Sequence, residues 1–147
     1  MPGRKGYSFT NHTADVELVA RGKTLEDAFR NAALAMFDTS ADIAALTRLK
    51  GGAKRLNIRE RASTLEDLLW AMLQGALSIA DAKGVYCYKV DRMLIKESKG
   101  GYTIDAQFSA RGEKPEYSII YVKGVSRFDM RVGKTKNGFT ARAVLDV

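Results

Sequence analysis

Cysteine and histidine each occur once in this chain of 147 residues, as Cys87 and His12. One thiol excludes an internal disulfide and any zinc cluster of several thiolates. One imidazole excludes HExxH and multi-histidine metal sites, and any proton relay that needs two imidazoles. Proline is nearly as scarce: Pro2 and Pro115 suggest no linker, and no shift in composition marks a domain boundary. No apolar run reaches the roughly 18 residues needed to span a bilayer. The opening residues, Met1 to Phe9, lack the apolar stretch of a signal peptide. A cytoplasmic, reducing location is therefore expected. GxSxG, Walker and GxGxxG patterns are also missing, and no glycine pair leads from a strand straight into a helix as a phosphate cradle does.

What is present has the balance of a globular protein, with 46% apolar and 28% charged residues. The length suits one domain, residues 1–147, able to bury its own core. Basic residues number 24 against 17 acidic ones, a net charge of +7. Such a charge favours nucleic acid or an acidic protein as partner, and equally serves solubility alone. The densest basic stretches, Arg48 to Arg61 and Arg127 to Lys136, are interrupted rather than continuous.

Two helices are predicted from apolar residues at the 3.6-residue period. The first carries Leu25, Ala28, Phe29, Ala32 and Met36, with Thr24 and Asp27 as a cap-like start. The second carries Leu65, Leu68, Leu69, Met72, Leu73, Ala76, Leu77 and Ala80, with Ser63 and Glu66 as its capping pair and Lys83-Gly84 as its stop. Both begin with Thr-Leu-Glu-Asp, at 24–27 and 64–67. Any helix start needs a cap, an apolar contact and acids near the positive end of its dipole, so one shared tetrapeptide does not establish a repeat.

Strands are predicted at Tyr7 to Asn11, Val16 to Ala20, Leu56 to Arg59, Val85 to Ile95, Tyr102 to Ala110, Tyr117 to Val132 and Phe139 to Val147. The stretch 117–132 is long for one strand, and Gly124 suggests a bulge or bend in it. Turns at Lys99-Gly100-Gly101 and Lys136-Asn137-Gly138 imply antiparallel hairpins. The order predicts an α+β fold, with two helices on one face of a largely antiparallel or mixed sheet.

Few residues suggest chemistry. Cys87, within Val85-Tyr86-Cys87-Tyr88, reads as a packed strand residue with no base to activate it. Asn11-His12-Thr13-Ala14-Asp15-Val16 gathers polar groups at a turn, where function often sits. Asn, Thr and Asp also bond their own backbone in ordinary turns. Asp146 stands one residue before Val147. If the last strand pairs with the strand starting at Asp15, two carboxylates meet at one sheet end, with the terminal carboxylate of Val147 nearby. All-oxygen donors of that kind suit Ca²⁺, Mg²⁺ or Mn²⁺, with water or a partner completing the shell.

Taken together, several blocks resemble the archease family. They are His12-Thr13-Ala14-Asp15-Val16, Gly22 to Phe29, Asn31 to Phe37, Glu66-Asp67-Leu68-Leu69, Lys123-Gly124-Val125-Ser126 and Leu145-Asp146-Val147. The resemblance implies a fold related to strand–helix–strand–strand modules. It implies an accessory protein, not an enzyme, that activates an RtcB-type RNA ligase in tRNA splicing and RNA repair. That ligase joins 3′-phosphate or 2′,3′-cyclic phosphate ends to 5′-hydroxyl ends, using GTP and Mn²⁺ through a guanylylated histidine. The accessory protein promotes guanylylation and multiple turnover.

By the same resemblance, Asp15, Asp146 and the main chain of Val147 bind a divalent metal. Lys123, with Asp15 and Asp146, activates the ligase, and His12 belongs to the motif. Two departures stand out. Arg127-Phe128 occupies the place of the family's usual Tyr-His, and Glu17 adds an acid beside Asp15 where a small residue is common. Other readings are a tRNA-binding module, a chaperone of a tRNA methyltransferase, and a metal-dependent enzyme. The last has the thinnest support in side chains.

Overall fold

A computed structural model of the chain describes residues 6–11 and 15–147. In chain order its elements are β1 (Tyr7–Asn11), β2 (Asp15–Gly22), α1 (Leu25–Ser40), α2 (Ile43–Arg48), β3 (Lys54–Ala62) and α3 (Leu65–Lys83). They continue with β4 (Val85–Ser98), β5 (Gly101–Gly112), β6 (Gly124–Val125), β7 (Arg131–Thr135) and β8 (Gly138–Asp146). The α+β class holds, but the strands form two sheets rather than one. The first runs β1-β2-β8, with β6 and β7 both paired along the far side of β8; the second runs β3-β5-β4. Every pairing is antiparallel.

One apolar core serves both sheets. It gathers Leu18, Ala143 and Leu145 from the first sheet, Leu56, Phe108 and Val90 from the second, and Phe29, Met36, Leu69 and Met72 from the helices between. The alternation along β3 is as predicted: Leu56 and Ile58 are buried, Asn57 and Arg59 exposed. Both long helices form as their periodicity requires. Thr24 Oγ1 accepts from Asp27 N–H at 3.1 Å, and Gly84 caps the end of α3.

Three expectations need correction. The cap of α3 is Thr64, whose Oγ1 accepts from Asp67 N–H at 3.1 Å, and not the Ser63–Glu66 pair. A third helix, α2, was not predicted; its six residues are too few to show a period, and Asp42 caps it by accepting from Ala45 N–H at 3.0 Å. Residues 117–132 are not one strand. They comprise the end of a 3-10 turn at Pro115–Tyr117, a segment without regular structure, β6, a turn at 127–129 and the start of β7.

The shared tetrapeptide proves part of a wider correspondence. β2–α1 and the β7–β8 hairpin form one strand–helix–hairpin unit; β3–α3 and the β4–β5 hairpin form a second, inserted between the helices and the hairpin of the first. Gly22 pairs with Phe139 where Ala62 pairs with Tyr102. The hairpins repeat Lys-x-Gly-aromatic-Thr at 99–103 and 136–140. Gly101 and Gly138 share φ values of 153° and 151°. A Cβ at Gly101 would collide with the Ala62 carbonyl, and one at Gly138 with the Gly22 carbonyl. Each helix also reaches the other unit in the same way. Glu26 Oε2 accepts from Ile95 N–H at 3.5 Å and Glu66 Oε2 from Val132 N–H at 3.2 Å. One turn on, Arg30 and Trp70 each donate to a backbone carbonyl at 2.8 Å, those of Val90 and Val125.

Candidate functional site

The start of β2 and the end of β8 meet at one end of the first sheet. Asp15 opens β2 and Asp146 closes β8, and they face each other in register. Residues directly opposite on antiparallel strands project to the same face, with Cβ atoms about 5 Å apart. Asp15 is half-buried and Asp146 exposed. On the other side of β8, Lys123 N–H donates to the Asp146 carbonyl at 2.7 Å, and Gly124 pairs with Asp146. Asp15, Lys123 and Asp146 are thus brought together by backbone pairing. Val147 follows Asp146 directly, and its side chain packs against the core. His12 lies outside the described residues.

Glu17 lies on the same face as Asp15, two residues along β2, and pairs with Arg142 Nη1 at 3.8 Å. Among the described residues, no three His, Cys, Asp or Glu side chains converge to hold a metal ion. Among the described residues, the oxygen donors brought to this sheet end by the strand pairing are the carboxylates of Asp15 and Asp146 and main-chain oxygens. They match a hard cation in type and are fewer than the six to eight ligands of a full calcium shell.

The segment carrying Lys123 is held by side chains that the sequence did not single out. Val125 N–H donates to Gln74 Oε1 at 2.9 Å, and Trp70 Nε1–H donates to Val125 O. The Arg127 guanidinium stacks over the Trp70 ring, 3.7 Å from its centroid. Arg127 therefore has a structural role against Trp70, while Phe128 is 80% exposed at the tip of the turn. Asp129, with φ 63°, completes that turn. The helical period of α3 marks Trp70 and Gln74 only as flanking its core stripe. Their partners lie far away in the chain, so no local signal finds them.

Cys87 lies in a separate apolar cleft with Met36, Leu77, Ala80 and Val122. Burial pushes its thiol up to about 12, which keeps it protonated and inert near neutrality. That agrees with a packed residue.

Fold and site together define an α+β protein of two nested strand–helix–hairpin units, with an acidic sheet end beside a clamped lysine segment. The Archease protein family (MTH1598/TM1083) matches residues 7–147. Protein archease of Methanosarcina mazei is 32% identical over 150 residues, covering 100% of both chains. That of Methanosarcina barkeri is 34% identical over 149 residues, 97% of each. The solution structure of Methanobacterium thermoautotrophicum protein 1598 superposes with a TM-score of 0.78 at 27% identity, covering 97% of this chain and 99% of that one. The chain belongs to the archease family.

Proposed function

We propose that this protein is a metal-binding activator of an RtcB-type RNA ligase, promoting guanylylation and multiple turnover of that enzyme. The observation that carries the reading is the juxtaposition of the family's acidic positions, Asp15 and Asp146, with Lys123 bonded through its amide to Asp146. The carboxylates of Asp15 and Asp146, with the main chain of Val147, would hold a hard divalent cation. Such a cation, when bound, supplies positive charge against a nucleotide polyphosphate. Exposed Lys123 offers a second positive charge at the same sheet end, suited to a ligase carboxylate or the triphosphate. Fixed charge placed where negative charge develops is the usual electrostatic route to faster nucleotidyl transfer.

Trp70, Gln74 and the pairing with β8 fix the backbone beneath Lys123. That preorganisation reduces the ordering cost of docking.

The experiment measures covalent guanylylation of a cognate RtcB-type ligase with GTP and Mn²⁺, with and without this protein at substoichiometric amounts. Stimulation is expected from the wild type. Asp146→Ala and Lys123→Ala should each lose most of it while retaining the fold, since both side chains are exposed. Unchanged activation by both variants would refute the assignment.

A further inference from the structure

The second sheet turns one face to the core; the other is open to solvent except at the end under α2, where Tyr88 and Arg111 pack against Leu46. The solvent face is a grid set by the strand register. Arg55, Ser109 and Lys89 form one row; Asn57, Gln107 and Arg92 the next; then Arg59, Asp105 and Leu94; then Arg61, Thr103 and Lys96. Arg55, Arg59, Arg61, Lys89, Arg92 and Lys96 are all exposed. These six cations line the two outer strands, and short polar groups fill the central strand between them. Rows lie about 7 Å apart along the strands, and the two basic files about 10 Å apart across β5.

Two register shifts in β4, between Cys87 and Lys89 and between Val90 and Arg92, bring both Lys89 and Arg92 onto this face. Among the described residues, two carboxylates belong to this face. Asp91 accepts from Ser109 Oγ at 2.6 Å and lies 3.7 Å from both Arg55 and Lys89; Asp105 lies 3.5 Å from Arg59. Four positive charges are left in excess. Arg61, Arg92 and Lys96 carry no carboxylate partner in the ion pairs above. Arg59, Arg92, Lys96 and Asp105 border a shallow trough with Leu94.

We propose that this face binds the phosphate backbone of a nucleic acid without reading its sequence. The character of the grid selects that partner over an acidic protein. Specific protein interfaces are anchored by apolar and aromatic side chains in a desolvated centre. Leu94 is the one apolar side chain in these four rows, and the rings nearest them, Tyr86 and Tyr88, are packed with Leu46 of α2 rather than presented to a partner. With no ring presented to stack bases on, affinity comes from replacing counterions along the phosphates. The proposal is independent of the ligase reading, because the face belongs to the inserted unit and the acidic end to the outer one.

The test is fluorescence-anisotropy binding of a labelled uridine RNA of about 20 nucleotides across a salt series, with the full chain and no ligase. Wild type should bind with a log–log salt slope of about −3, as neutralising about four phosphates of a single strand requires. The triple variant Arg59→Gln, Arg92→Gln, Lys96→Gln should bind at least about ten-fold more weakly, with a slope shallower by about 2. The variant Lys50→Gln, Lys134→Gln, Lys136→Gln loses the same charge elsewhere and should bind within about two-fold of wild type. Leu94→Lys should bind more tightly, which keeps the test decisive if the first triple variant fails to fold.

A DNA oligomer of equal length binding equally well identifies the phosphates as the recognised group; preference for RNA adds the 2′-hydroxyl. Equal losses in both triple variants would overturn the proposal, since net charge alone would then explain binding. So would no measurable binding by wild type, or competition by a polyglutamate peptide as effective as unlabelled RNA.

Discussion

Asp15 and Asp146 are like charges directly opposite on paired strands, an arrangement that destabilises a sheet unless something neutralises it. Asp146→Asn should therefore raise stability by a few tenths to about 1 kcal/mol in chelator. Millimolar Ca²⁺, Mg²⁺ or Mn²⁺ should raise the Tm of the wild type more than that of the variant. Thermal unfolding in chelator and in each metal checks both, and equal metal responses would remove the carboxylate pair as the binding site. Cys87 offers a pH signature. Burial lifts its thiol from 9.0 to about 12. Between those values the unfolded chain has lost the proton and the folded one retains it. Stability should accordingly fall as pH rises from 9, by up to about 1.4 kcal/mol per unit for this group alone. Urea titrations at successive alkaline pH values, repeated on Cys87→Ala, should show a shallower decline in the variant. Tyr7, whose hydroxyl donates to Asp38 Oδ2 at 2.7 Å, is also raised, chiefly by burial, and adds to the loss above pH 10 in both proteins.

The hairpins show how an element depends on a residue that local pattern only half explains. Lys-Gly-Gly and Lys-Asn-Gly were legible as turns. The demand on Gly101 and Gly138 goes further, because each backbone lies against the strand-to-helix junction of its own unit. A side chain there meets both an unfavourable φ and a carbonyl oxygen. Gly138→Ala should cost about 1–3 kcal/mol from the backbone conformation alone, and more from the collision. Gly101→Ala should cost a similar amount, and Gly100→Ala less, since nothing lies near its Cβ position. Urea midpoints at constant m rank the three; a harmless Gly138→Ala would contradict the equivalence of the two units. The helices were the most legible elements, since a cap and a period are local. The edge of the first sheet was the least. β6 and β7 are separated by a turn, and Glu66, Trp70 and Gln74 of α3 bond to their backbone in place of a continuous ladder.

Across the whole molecule, the inserted unit is joined to the outer one through a shared core and reciprocal helix contacts. Neither unit buries its helix alone. Unfolding should therefore be a single transition. Trp70 is the chain's one tryptophan and spans that junction through its bond to Val125. Its fluorescence and the far-UV circular dichroism should lose native signal at the same urea concentration. A fluorescence change well before the loss of dichroism would mean that the units separate before they unfold.

The sequence by itself determined the two long helices, the alternation along strands such as β3 and both hairpin turns, because capping, periodicity and turn chemistry act between near neighbours. It also carried the family resemblance, in blocks from His12 to Val147. Only the tertiary structure decided that the strands divide into two sheets and that the second unit nests within the first. It alone set Asp15 against Asp146 and arranged six cations, scattered from Arg55 to Lys96, in two files on one face. Those outcomes depend on strand register and on contacts between distant residues, and their energy exists only once the shared core has formed.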